Sequence, residues 1–167
     1  MKKAIWIAGL CVLLLAAALW QLLPANGDAL EELLENSLLP VPLCTPEAQA
    51  LSQIRESLQY VPGFGGYALD NEEICIHFSG WPDVKDTYHV TRIDLFAPGY
   101  HVLGLQVGDS LETAQKTLEG QRYVWQSDWE GLFFCRGDVT VVLYEAQDVL
   151  TRINVLVETT NQEGLIF

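Results

Sequence analysis

The chain has 167 residues, 50% of them hydrophobic and 19% charged, with 22 acidic against 9 basic residues and a formal charge of −13. That length accommodates one ordinary domain or two very small ones and excludes a multidomain enzyme. The acidic balance weighs against nucleic acid as a partner, because a phosphate backbone is held by clustered Lys and Arg that this chain lacks.

At the N-terminus, Lys2 and Lys3 precede an apolar run from Ala4 to Leu23 that is broken only by Gly9 and Gln21. Twenty helical residues at about 1.5 Å each match a hydrocarbon layer of roughly 30 Å. Residues 1–27 are therefore read as a membrane anchor or a signal peptide, with Ala25 and Gly27 as the small residues that cleavage after Gly27 would use. The two lysines orient everything after Leu23 outward. The expected location is a bacterial-type cell envelope, external to the cytoplasmic membrane, anchored or secreted. Cys11 follows Leu10, where a lipidation signal needs a small residue, and reads as an inert membrane residue. All 22 acidic residues lie beyond residue 27, so the membrane is expected to be met only through the N-terminal segment.

Residues 28–42 read as a short amphipathic helix and linker, a stalk or a strap: Asp28 is a cap, and Leu30, Leu33, Leu34 and Leu38 share a face. Pro40 and Pro42 end it. A second helix is expected with Thr45 as cap, Pro46 in the first helical position, and Leu51, Ile54 and Leu58 at helical spacing. Tyr60 to Gly66 reads as a turn. Alternation then predicts strands at Tyr67 to Leu69, at Ile74 to Phe78 with Cys75 and His77 on the opposite face, and at Tyr88 to Phe96. In the last of these, Ile93 and Leu95 face one way and Val90, Arg92, Asp94 and Phe96 the other.

After a turn at Ala97 to Gly99 the order starts again. Asp109 is expected to cap a helix burying Leu111, Ala114 and Leu118, with Gly120 as its left-handed stop. Strands follow at Tyr123 to Gln126, Leu132 to Cys135, Val139 to Tyr144 and Leu150 to Val157, joined by short connections into an antiparallel meander. At an offset of sixty the two halves share Leu43/Leu103, Leu51/Leu111, Leu58/Leu118, Cys75/Cys135, and Thr91-Arg92-Ile93 with Thr151-Arg152-Ile153. The expected fold is therefore α+β: two tandem small modules, at 43–99 and 100–160, each an amphipathic helix on an antiparallel meander, before a tail at 161–167. The sheet face carrying Cys75, His77 and Arg152 would be left open.

The stretch from Leu105 to Glu112, with its following helix, meander and final Thr151-Arg152-Ile153 strand, resembles the helix-plus-meander modules of the SmpA/OmlA (BamE-like) lipoproteins. In duplicated form it also resembles the tandem-repeat β-lactamase inhibitory proteins. The resemblance implies a noncatalytic, extracytoplasmic protein-binding unit, with Gly108 and Asp109 as structural turn and cap and Val107 in the core.

The residues themselves offer little chemistry. No serine sits in a Gly-x-Ser-x-Gly elbow, and the spacing of twelve between His77, His89 and His101 suits neither a helical nor a strand metal pair. Adjacent acids such as Glu72-Glu73 belong at turns. No phosphate loop, dinucleotide fingerprint or calcium loop is present, so no cofactor, no metal and no catalytic residue is expected. Cys44, Cys75 and Cys135 leave three outcomes open: a Cys44–Cys75 bridge, a Cys75–Cys135 bridge, or none. The binding candidates are aromatic: Tyr60, Phe64 and Tyr67 around a glycine-rich turn, and Trp81, Trp125 and Trp129 in or beside loops, since such side chains bury much area at small entropic cost. Taken singly, each of them better suits the edge of a small core, and as a set they leave room for an exposed aromatic groove. The functional expectation is a noncatalytic binding or inhibitory module whose partner is another extracytoplasmic protein. The alternative is a structural, membrane-associated accessory subunit, with a small hydrolase a distant third.

Overall fold

The computed structural model describes residues 29–54, 58–61, 66–69, 73–80, 88–127 and 131–158. These form three helices, α1 (Ala29–Glu35), α2 (Glu47–Gln53) and α3 (Leu111–Gly120). Eight strands accompany them: β1 (Leu58–Val61), β2 (Gly66–Leu69), β3 (Ile74–Gly80), β4 (Tyr88–Leu95), β5 (Val124–Ser127), β6 (Leu132–Arg136), β7 (Val139–Ala146) and β8 (Val149–Val157).

All eight strands belong to one antiparallel sheet of order β1-β2-β3-β4-β8-β7-β6-β5. This corrects the expectation of two tandem modules. Each four-stranded meander would leave its last strand as an open edge of unpaired N–H and C=O groups, and pairing β4 with β8 removes both edges at once. The core is likewise continuous. Leu33 of α1, Ala50 of α2 and Leu118 of α3 share a single buried cluster with Ile76, Ile93, Val141 and Ile153. The chain is one α+β domain.

Local chemistry explains the elements, and departs from the sequence reading at several ends. Ser110, not Asp109, caps α3: its hydroxyl accepts from the Thr113 amide at 3.2 Å, while Asp109 Oδ2 accepts from the Gln106 amide and shapes the preceding turn. The left-handed residue after α3 is Arg122 (φ 65°), two positions beyond Gly120. At α2 the cap position is Pro46, which has no side chain to offer, and Thr45 instead lends its carbonyl to the Val90 amide. The helix ends at Gln53, where Ile54 turns extended (φ −82°, ψ 108°). Leu58, expected on its face, opens β1, where a turn was expected from Tyr60 onward. α1 is a strap on the domain: Leu33 is fully buried and Leu38, past the helix end, is 52% exposed. Gln147 and Asp148, both with positive φ, make the two-residue turn between β7 and β8.

No helix among the described residues is long and apolar enough to cross a membrane. The segment from Ala4 to Leu23 lies outside the described residues. No described element therefore carries the expected membrane-anchored or exported location.

The repeated Thr-Arg-Ile segments have a geometric meaning. Register shifts place Thr91 as the extra residue of β4 opposite β3, and Thr151 as the extra residue of β8 opposite β7. Each is a β-bulge, which reverses the facing of every residue before it. Val90, expected beside Arg92, is therefore turned into the core and fully buried, as is Leu150 in β8. After each bulge Arg92 and Arg152 take the face away from the helices, while Ile93 and Ile153 enter the core. In the β4–β8 ladder, Asp94 stands directly opposite Asn154.

Candidate functional site

The sheet face opposite the core is defined by parity. On β7 and β8, Val139, Val141, Leu143, Ile153, Val155 and Val157 belong to the core cluster, whereas Val142 is only 2% exposed and yet lies outside it. Val142 is paired with Phe133 on one side and Asn154 on the other, so these residues share the second face with Asp94. One row across, Val124, Cys135, Thr140, Leu156 and Arg92 follow the same registers. Phe96 and Val124 stand out at 42% and 60% exposure.

At the centre of this face Asp94, 1% exposed, accepts six hydrogen bonds from four side chains. His77 Nε2 donates to Oδ2 at 2.9 Å, which fixes the ring proton on that nitrogen. Arg92 Nε donates to Oδ2 at 2.9 Å. On the other side, Arg152 donates to Oδ1 from Nε and Nη2 at 3.0 and 2.7 Å, and Asn154 Nδ2 donates to Oδ1 at 2.7 Å. The Arg152 guanidinium lies between two rings, 4.4 Å from the Tyr144 centroid and 5.2 Å from that of Phe96. The two arginines of the repeated motif thus grip one carboxylate from both sides of the β4–β8 seam.

Burial by itself would raise the Asp94 carboxyl. The His77 hydrogen bond and the charges of Arg92 and Arg152 outweigh it and hold the group down at about 2. That decides what the cluster can do chemically. Asp94 stays ionised across the ordinary pH range, and its hydrogen bond holds the His77 imidazole in one orientation. Cys75 is the cross-strand partner of Asp94, and the grouping ties β3, β4 and β8 together as a structural seam.

The cluster differs from the ion pair between α1 and β6. Arg136 pairs with Glu32 of α1 and caps the end of α3 through the Gln121 carbonyl, one cation against one anion. Beside it burial, the largest influence, pushes the Tyr123 hydroxyl up to about 12. At Asp94 two cations meet one anion.

The aromatic candidates fare unevenly. Trp125 lies in the edge strand β5 and is 52% exposed, so it is a strand residue available at the surface. Tyr60 and Tyr67 are direct cross-strand partners in the β1–β2 pair. Phe64, Trp81 and Trp129 lie outside the described residues. Cys44, Cys75 and Cys135 are not joined to one another by a disulfide. Among the described residues, no three His, Cys, Asp or Glu side chains gather as a metal site requires. His77 is in the Asp94 cluster, while His89 and His101 sit at separate backbone bridges to Pro46 and Leu38.

Sequence reasoning had placed Arg92, Asp94 and Arg152 in strands without seeing that they meet. The available signal was the Thr-Arg-Ile repeat itself: arginine at the same position of two strands that pair about their equivalent residues must converge. Set against family models, curated proteins and solved structures, the chain matches none of them.

Proposed function

We propose that this chain is a noncatalytic protein-binding module that receives its partner on the sheet face opposite the helices. The observation that supports this reading is the composition of that face. Val124 and Phe96 are exposed there, Phe133, Tyr144 and Leu156 are half-buried, and none of these five belongs to the core or packs against it. All three helices bury their apolar residues on the other side. Aromatic and aliphatic side chains around a fixed polar centre are the usual make-up of a binding surface, with arginine and tyrosine among its commonest anchors. The resemblance to inhibitory proteins that use a sheet face points the same way.

The test is photo-cross-linking in cells that express the full chain, with benzoylphenylalanine replacing Phe133 in one version and Glu119, on the outer side of α3, in another. A discrete protein adduct from position 133 and none from position 119 is expected. Equal labelling from both positions, or none from position 133, would overturn the reading.

A further inference from the structure

The charge arithmetic at the centre of the sheet is unbalanced. Among the described residues, Arg92 and Arg152 have Asp94 as their only acidic partner, and neither guanidinium makes another hydrogen bond or ion pair. Their Nε and Nη2 groups are engaged and the Nη1 amino groups are not. The side chains keep 34% and 25% of their surface exposed, so these unused donors are within reach of solvent. The residue opposite Asp94, where a second carboxylate would neutralise the pair, is Asn154, which brings no charge and leaves its buried Oδ1 without a partner. A buried carboxylate between two part-exposed guanidinium groups leaves one positive charge in excess, which attracts one more anion.

Resting on the binding role proposed above, we infer that the sheet face recognises an acidic peptide segment of its partner, one of whose carboxylates is taken by the Nη1 groups of Arg92 and Arg152. The planar guanidinium suits a carboxylate, and the rings of Phe96 and Tyr144 hold that of Arg152 in place so that little freedom is lost on binding. Phe96, 42% exposed, supplies an apolar contact for the stem of the incoming residue. The chain's formal charge of −13 does not forbid this. The acids of α1 and α3 lie beyond the sheet, and the reach of Glu158, bonded to Thr140 Oγ1 at 3.5 Å on this face, is limited by a screening length of about 8 Å at physiological salt.

The experiment titrates the full-length, 15N-labelled protein with acetyl-Glu-Glu-Glu-Glu-amide, following the arginine Nε–Hε resonances, with the tetraglutamine peptide and inorganic phosphate as controls at matched ionic strength. Saturable shifts confined to the Arg92 and Arg152 signals are expected, with Arg136, already paired, unmoved. The glutamine peptide should bind at least about tenfold more weakly. Absence of saturation up to about 10 mM peptide, or equal shifts at Arg136, would overturn the inference. Phosphate binding as well as the glutamate peptide would also overturn it, in favour of a small-anion site. Because the titration uses unaltered protein, it does not depend on whether Arg92→Gln folds. A cross-linked partner at position 133 combined with silent arginine signals would sink this inference alone and leave the binding role standing.

Discussion

Asp94 carries the seam between β4 and β8, and its ionisation should be visible in the pH dependence of stability. Its folded pKa is depressed to about 2, so its contribution is fully present above the unfolded carboxylate pKa of about 4 and is lost as pH falls toward 2. Nearly two units correspond to roughly 2.5 kcal/mol. Urea denaturation of the wild type and Asp94→Asn at intervals from pH 5 to about pH 2 should show a gap between the two that is largest at pH 5 and closes on acidification. At pH 5 the variant should be less stable by about 3–5 kcal/mol, because two guanidinium groups are left against an uncharged partner. A gap that does not vary with pH would mean that Asp94 contributes by packing alone. Alternation places Asp94 on the face opposite Ile93 and Leu95, as the structure does. Its partners were not legible, because Arg152 is 58 residues away in sequence and only pairing brings it near.

At the scale of elements, strand existence followed from hydrophobic alternation, and β3 through β8 lie where the pattern puts them. The ends were less legible because caps and bulges depend on single hydrogen bonds. α3 is the instructive case. Asp109 and Ser110 both suit a cap, and only the backbone path decides that Ser110 reaches the Thr113 amide. Ser110→Ala should therefore cost about 1 kcal/mol of stability, read as a lowered urea midpoint at unchanged slope. Asp109→Ala acts on the preceding turn and should leave the helix cap intact. Similarly, Val90 and Leu150 look like outward residues by strict alternation. One extra residue in each strand, Thr91 and Thr151, turns them inward.

For the molecule as a whole, the β4–β8 pairing determines how the chain unfolds. Two modules with separate cores would melt independently. One sheet with one continuous core should melt once, with tryptophan fluorescence and far-ultraviolet circular dichroism reporting the same midpoint. Ile93→Ala in β4, deleting a fully buried side chain beside the seam, should lower that single midpoint by about 2–5 kcal/mol in free energy without splitting the transition. Two resolved transitions would restore independent modules. The outcome also bears on the binding face, since Phe133 and Val142 on one side and Arg92 and Phe96 on the other lie on one surface only if the seam holds. By itself the sequence determined the α+β class and most of the strands, because composition and periodicity are local properties that backbone sterics translate directly into elements. Only the tertiary structure decided that the repeats fuse into one sheet and that Arg92, Asp94 and Arg152 meet at its centre. Strand order and register are set by which edges need partners and which faces can be buried together, and neither is written in any local stretch of the chain.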